Sequence, residues 1–109
     1  MPHLRFRGIE KKEVKEISKE LIDGLVDIIE CPRDYFTIEH IDSTFIFDGE
    51  ENKNMWPFID VLWFDRGSKM MQEVASFITK LVNKYPHDDI TVNFTNLKEE
   101  YYFENGQHF

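Results

Sequence analysis

The sequence of 109 residues has a formal net charge of −8 at pH 7, because 21 aspartates and glutamates outnumber 13 lysines and arginines. This excess of acid repels the phosphates of DNA and RNA over most of the surface, so we expect no nucleic-acid partner. Hydrophobic residues make up 41% of the chain and aromatic residues 15%, which is enough to build a packed core. We therefore predict a single globular domain over residues 1–109.

Membrane, secretory and metal-binding classes are also disfavoured. The longest apolar runs, such as residues 61–64, are far shorter than the roughly 20 residues of a membrane span. The first residues lack the apolar stretch of a secretion signal. Cys31 is the single cysteine, which rules out an intrachain disulfide or a multi-cysteine zinc site, and the four histidines show no metal-ligand spacing. We expect a cytoplasmic protein without membrane partner, metal or cofactor.

The first part of the chain, residues 2–48, predicts a β-α-β unit. Residues 2–7 alternate between apolar and other side chains, which is the period of a strand. Apolar residues three or four apart from Val14 to Ile28 predict a helix that ends near Cys31, because Pro32 follows. Residues 35–47 are β-branched and aromatic and predict one long strand, with a bulge or bend near His40. Residues 48–54 form a polar connection.

The second part, residues 57–96, predicts another β-α-β unit of similar spacing. Residues 57–65 predict a central strand, residues 68–84 a helix and residues 90–94 a last strand. Each unit begins at a proline and ends its helix just before another proline. In the tail, residues 97–109, Asn105 and Gly106 stand between aromatic residues and predict a hairpin. The resulting prediction is an α+β fold in which tandem β-α-β repeats form a four-stranded sheet with both helices on one face.

The other face of this sheet is left uncovered. Its residues include Arg5, Arg7, Glu39 and Asp60, mixed with aromatic side chains. We expect the two arginines to form ion pairs with the two acids; the alternative is that they bind a carboxylate ligand. A partly apolar uncovered face, together with an aromatic tail, usually indicates association with further copies of a chain.

The Met-Pro start, a proline that heads a strand, the tandem β-α-β units and the C-terminal appendage resemble the tautomerase superfamily, whose two-repeat members include macrophage migration inhibitory factor. Three stretches carry a closer resemblance. They are the opening residues 1–7 (Met-Pro-His-Leu-Arg-Phe-Arg), residues 61–64 (Val-Leu-Trp-Phe), and the closing Tyr101-Tyr102 with residues 106–109 (Gly-Gln-His-Phe). This pattern is similar to an uncharacterised bacterial branch of the superfamily and covers essentially the whole chain. The resemblance implies a homotrimer whose sheets surround a central channel, with the helices outside.

The resemblance also implies a reaction and a set of site residues. Removal of Met1 would leave Pro2 as the general base or acid that acts on a small, enolisable oxo acid. A basic residue near the end of the first helix binds substrate in other members, and Arg33 is the nearest one here. Asn93 stands in the last strand, where a pocket asparagine occurs in the migration-factor group. Tyr102 is the candidate to close the pocket on a neighbouring subunit, with packing alone as its alternative role.

The chemistry of Pro2 also supports a role as a general base. Once Met1 is removed, its nitrogen is a secondary amine, and the strand alternation puts it with Leu4 and Phe6 on the apolar side. Desolvation there disfavours the protonated amine and suits it to general base catalysis. We therefore predict a tautomerase-like protein that transfers a proton next to a carbonyl group. The alternative is a non-catalytic oligomeric binding or scaffold protein that keeps the same fold.

Overall fold

The computed structural model describes residues 2–108, which form a four-stranded mixed sheet, two long helices and two small hairpins. Two short 3₁₀ turns, Arg33–Tyr35 and Glu99–Tyr101, connect these elements. In chain order, the elements are β1 (His3–Arg7), α1 (Lys11–Ile29), β2 (Thr37–His40), β3 (Phe45–Phe47), β4 (Glu50–Asn52), β5 (Phe58–Trp63), α2 (Ser68–Val82), β6 (Thr91–Asn96), β7 (Phe103–Glu104) and β8 (Gln107–His108).

The main sheet joins two β-α-β units side by side. Its strand order is β2-β1-β5-β6. The pairs β1–β2 and β5–β6 are parallel, and the two units meet where β1 runs antiparallel to β5. In that central pair, His3 lies opposite Leu62 and Arg5 opposite Asp60. The predicted α+β fold is confirmed, with β5 in the interior of the sheet as expected.

Both helices cover the same face of the sheet, and the core lies between these layers. Leu4 and Phe6 of β1 point into it, while the alternate residues of this strand point to the opposite face. Trp63 is fully buried, and its indole N–H donates to Asn96 Oδ1 at 3.1 Å. The helices contribute Val14, Ile17, Leu21, Leu25, Ile29, Val74, Ile78, Leu81 and Val82. No helix within residues 2–108 combines the length and apolarity that a bilayer crossing requires.

The first helix ends where the sequence predicted. Glu30 adopts a left-handed conformation with φ of 59°, and its N–H donates to the carbonyl of Val26 at 2.8 Å. This bond satisfies one of the carbonyl groups that a helix end leaves without a partner. Pro32 then keeps the chain from continuing as helix, and the 3₁₀ turn leads into β2.

The prediction of one long strand over residues 35–47 is wrong. The chain pairs with β1 along β2, the Ile41 N–H donates a last hydrogen bond of 2.7 Å to the carbonyl of Phe6, and residues 42–44 then leave the sheet. The rest of the segment forms β3, which pairs with β4 in a separate antiparallel hairpin inside the supposed polar connection. Asp48 and Gly49 make the turn with φ of 52° and 77°, as a two-residue turn of the left-handed type requires. The change of apolar phase near His40 therefore marks a break between strands rather than a bulge.

The C-terminal hairpin is confirmed. Strands β7 and β8 pair antiparallel, and the turn between them is made by Asn105 and Gly106 with φ of 54° and 77°. Upstream of this hairpin, the ring of Tyr102 packs edge-on against Phe64, with ring centres 5.3 Å apart. The tail is thereby connected to the end of β5, close to the beginning of β1.

Candidate functional site

The sheet face opposite the helices, called the open face below, carries a row of polar side chains. Residues paired across neighbouring strands point to the same side of a sheet, so the register aligns Glu39, Arg5, Asp60 and Asn93 across all four strands. Arg5 Nε lies 2.7 Å from Glu39 Oε1, and Asn93 Nδ2 donates to Asp60 Oδ1 at 3.3 Å. This row holds the first of the two predicted arginine ion pairs.

The second arginine, Arg7, also forms its predicted ion pair. Its Nη1 lies 3.7 Å from Asp60 Oδ2, and its guanidinium carbon lies 4.2 Å from the centre of the Phe58 ring. Asp60 is therefore shared between Arg7 and Asn93. Both arginine side chains stay well exposed in the single chain, at 49% for Arg5 and 39% for Arg7, so these pairs stabilise the fold by at most about 1 kcal/mol each.

Pro2 lies immediately before β1, and its ring is fully buried. Its carbonyl oxygen accepts a hydrogen bond of 3.2 Å from the Thr37 N–H, which extends the β1–β2 pairing by one residue. Its side chain therefore falls on the apolar side that the strand alternation predicted. The proposed removal of Met1 concerns a residue outside those that the structure describes.

A cavity of about 320 Å³ opens on the open face, one residue from Pro2. The segment before the C-terminal hairpin forms one wall of this cavity through Leu97 and Tyr102, and Arg5 is the arginine in its lining. The residues that line it are His3, Leu4, Arg5, Thr37, Glu39, Leu62, Leu97 and Tyr102. The cavity thus offers a cation, a phenol and an imidazole together with an apolar surface.

His3 links β1 to both walls of this cavity. Its Nδ1 is hydrogen bonded to Thr37 Oγ1, and its Nε2 to the hydroxyl of Tyr102 at 3.2 Å. Burial, followed by nearby positive charge that includes Arg5, lowers the pKa of His3 below 6.5. Burial, followed by the carboxylate of Glu104, raises the pKa of Tyr102 above 10. Near pH 7 both groups are therefore neutral, and each can donate or accept a hydrogen bond.

We expect the His3 imidazole to titrate below pH 6.5 in the folded protein. Because the unfolded chain then binds more protons than the folded chain, the free energy of unfolding should fall as the pH drops from about 6.5 toward the lower folded pKa. Titration of the His3 ring by ¹H–¹³C NMR measures the pKa directly. Tyr102→Phe removes the hydroxyl but keeps the burial, and should leave the pKa lowered. A His3 pKa at or above 6.5 in the wild-type protein would contradict this account.

The structure brings together only part of the site that the sequence predicted. Tyr102 lies in the cavity and is hydrogen bonded to His3, the residue that follows Pro2. Arg33, in the 3₁₀ turn after α1, is paired with Asp23 of α1 instead. The pKa of this Asp23 carboxyl is lowered, chiefly by its hydrogen bond with Lys19 and then by Arg33. Asn93 lies in the polar row and is bonded to Asp60.

Two residues that line this cavity, His3 and Arg5, are not among the site residues that the sequence predicts. The histidines show no metal-ligand spacing, and the expected role of Arg5 is an ion pair, with carboxylate binding as the alternative. The alternation of residues 2–7 is the signal that could have located them. It puts the side chains of both residues on the open face, and both residues lie close to Pro2 in the sequence.

Comparison with known proteins identifies the family. Residues 1–108 match the family described as a domain of unknown function, DUF1904. The chain belongs to this family. A DUF1904 crystal structure from Sebaldella termitidis ATCC 33386 is 43% identical, with a TM-score of 0.93 and full coverage of both chains. No curated protein matches this DUF1904 sequence.

More distant structures identify the fold. A macrophage migration inhibitory factor-like protein from Entamoeba histolytica is 21% identical, with a TM-score of 0.75 and coverage of 99% of this chain and 98% of that one. A fused 4-OT, described as an asymmetric trimer, is 15% identical, with a TM-score of 0.79 and coverage of 97% and 94%. At these identities the likeness concerns the fold alone. The DUF1904 chain shares the fold of these macrophage migration inhibitory factor-like and 4-OT structures, which confirms the fold that the sequence resemblance implied.

Proposed function

We propose that this DUF1904 protein is a cytoplasmic homotrimer that catalyses keto–enol proton transfer on a small oxo acid, with the amino-terminal nitrogen of Pro2 as the general base. The observation that carries the proposal is the fully buried ring of Pro2, one residue before a cavity of about 320 Å³. Water exclusion around the amine would disfavour its protonated form, which is the requirement for a base near pH 7. The tautomerase-like fold supports this assignment.

The reaction needs one proton to move between carbon and oxygen. The Pro2 amine would take a proton from the carbon next to the carbonyl group, and the electrons of that C–H bond would form the carbon–carbon double bond of the enolate. The proton would then pass to the enolate oxygen, which gives the enol and restores the amine. Tyr102 lines the cavity as a neutral phenol, and we assign to it a hydrogen bond to the developing oxyanion, which would replace the 3.4 Å bond that its hydroxyl donates to Glu104 Oε1.

Two arginines compete for the role of holding the substrate carboxylate. The sequence resemblance suggested Arg33, but its guanidinium is paired with Asp23. Arg5 lines the cavity, and its contact with Glu39 involves Nε, so a ligand could bind its two terminal nitrogens. We therefore assign the carboxylate to Arg5 and keep Arg33 as the alternative.

Self-association is supported by the exposed apolar surface of this chain. Ile46 and Phe47 of β3 are 70% and 68% exposed, and Tyr101 and Phe103 near the C-terminus are 73% and 55% exposed. Patches of this kind mark interaction sites. The fused 4-OT of the same fold is a trimer. A trimer of this 13.1 kDa chain would have a mass of about 39 kDa.

The proposal is tested by following the ketonisation of phenylenolpyruvate by ultraviolet absorbance. Two preparations are compared, one without Met1 and one that retains it, after mass spectrometry has confirmed each amino terminus and light scattering the trimer. We expect catalysis only without Met1, because a Pro2 nitrogen in a peptide bond cannot accept a proton. In the active preparation, Arg5→Met should raise KM about tenfold and Arg33→Met should not. Equal rates with and without Met1 would rule out the Pro2 nitrogen as the base, and no rate above buffer in either preparation would leave the non-catalytic oligomer as the function.

A further inference from the structure

A second cavity, of about 340 Å³, lies at the opposite end of β1 from Pro2, roughly 17 Å away along the strand. It is formed where the parallel strands β1 and β2 end, beside the first turn of α1 and the loop that precedes β6. Its lining consists of Gly8, Ile9, Glu10, Lys11, Glu13, His40, Ile41, Asp42, Ser43, Lys53, Met55 and His87. We call it the Glu13 cavity.

Three buried polar atoms of the Glu13 cavity lack a hydrogen-bond partner. Within residues 2–108, the buried side-chain atoms in this state are Glu13 Oε2, Ser43 Oγ and His87 Nε2, and all three belong to residues of this lining. Glu13 Oε2 and His87 Nε2 are 3.4 Å apart, which permits an ion pair when the imidazole is protonated, but they are not aligned as a hydrogen bond. Buried polar groups in proteins are normally bonded, so these three atoms around one cavity are available to the polar groups of a ligand.

The other histidine in the lining does not add to this group, because it already has a partner. His40 Nε2 is hydrogen bonded to the carbonyl of Ile9 at 2.7 Å. This bond holds the end of β2 against the segment that enters α1. His40 is therefore part of the frame of the cavity, and the groups available to a ligand are those of Glu13, Ser43 and His87.

The chemistry of these three groups specifies what they would bind. A carboxylate oxygen can only accept, so the ligand must present a donor to Glu13, while the hydroxyl of Ser43 and the imidazole of His87 can donate or accept. Three carboxylates and two lysines line the cavity, which gives a net charge of −1 with neutral histidines. This balance disfavours phosphate and dicarboxylates. The net negative charge favours a ligand that places an ammonium or hydroxyl group in the Glu13 cavity. The two lysines can bind a single carboxylate of the same ligand.

We infer that the Glu13 cavity is a second ligand site, for a small molecule that presents an ammonium or hydroxyl donor to Glu13, Ser43 and His87. The site does not involve Pro2, so it goes beyond the proposed proton transfer and does not depend on it. Zwitterionic amino acids fit both requirements, since they carry an ammonium group as donor and one carboxylate for Lys11 or Lys53. A neutral polyol supplies the donor alone.

Titration of the full ¹⁵N-labelled chain followed by NMR tests this site. The probes are glycine, L-serine, glycerol and inorganic phosphate, added separately. We expect glycine or serine to shift the amide signals of Glu13, Ser43 and His87 in a saturable way, and phosphate not to do so. Glycerol distinguishes the two donor types: saturation by glycerol as well means that a hydroxyl suffices, whereas its failure means that the ammonium is required.

Two variants make the test specific. Glu13→Gln removes the negative charge and should weaken the binding of glycine or serine about tenfold. Glu16→Gln, an exposed change on the same helix outside this cavity, should leave the affinity unchanged. Ser43→Ala provides a second disruption if Glu13→Gln does not fold. The inference is overturned if none of glycine, serine and glycerol saturates the wild-type chain, if phosphate binds more tightly than they do, or if variants inside the cavity bind like the wild type.

Discussion

Gly8→Ala is expected to lower the free energy of unfolding by roughly 3 kcal/mol or more. Gly8 has φ of 74°, a conformation that costs a residue with a side chain about 1–3 kcal/mol. A Cβ atom at this position would in addition lie 2.0 Å from the carbonyl oxygen of Trp56 and 2.9 Å from its carbonyl carbon. Because both are backbone atoms just before β5, they cannot move aside as a side chain can. Urea denaturation of the variant measures the loss.

Gly67→Ala is the matched control for this prediction. Gly67 occupies the corresponding turn of the second β-α-β unit, with φ of 89°, and a Cβ atom there would meet nothing within 4 Å. The variant should therefore show only the conformational cost, about 1–3 kcal/mol. The difference between the two losses measures the close approach of Gly8 to Trp56. Equal losses of unfolding free energy in the two variants would show that the backbone of Trp56 moves away from position 8 in solution.

These two turns illustrate what sequence alone can and cannot provide. Arg7-Gly8 and Arg66-Gly67 mark the same strand-to-helix turn in each unit, and that equivalence follows from the repeated spacing. The crowding at Gly8 comes from Trp56, a residue distant in sequence, and no local pattern contains it. The strands of the main sheet and both helices could be predicted, because each has its own local periodicity of apolar residues.

The prediction of one long strand over residues 35–47 overlooks a turn signal that directly follows it. Asp48-Gly49 is the same kind of turn dipeptide as Asn105-Gly106, and it makes the same left-handed turn. It falls in the stretch predicted to be a polar connection, where Glu50 and Glu51, which form most of β4, are poor strand formers. The exposed β3–β4 hairpin tolerates them, because no buried face selects its side chains.

The two cavities differ in how far sequence could have located them. The cavity near Pro2 is formed partly by residues that are close to Pro2 in the sequence. The alternation of side chains along β1 is therefore enough to identify His3 and Arg5 as residues on the same face of the sheet. Arg33 was assigned to it by resemblance, and its pairing with Asp23 depends on how the 3₁₀ turn folds back on α1. The Glu13 cavity brings His87 against the first turn of α1, which only the packing of the two units determines.

The largest effect on activity is expected from Pro2→Ala in protein without Met1. The secondary amine would be replaced by a primary amine on a more mobile residue, so the rate of phenylenolpyruvate ketonisation should fall roughly 10²-fold or more, within the range of 10²–10⁴ for general base catalysis. A small residual rate is expected, because the alanine amine can still accept a proton. The comparison is made on kcat, with both amino termini verified by mass spectrometry.

Pro57→Ala separates this catalytic effect from a structural one. Pro57 precedes β5 as Pro2 precedes β1; its ring is fully buried as well, and its carbonyl accepts the Thr91 N–H at 2.9 Å, the counterpart of the Thr37–Pro2 bond. Both variants therefore lose a buried proline ring at the start of a strand, and their losses of stability should be similar. Only Pro2 has a nitrogen that removal of Met1 can release. A fall in kcat for Pro2→Ala but not for Pro57→Ala would assign the base to the Pro2 nitrogen, whereas equal falls would assign the effect to packing.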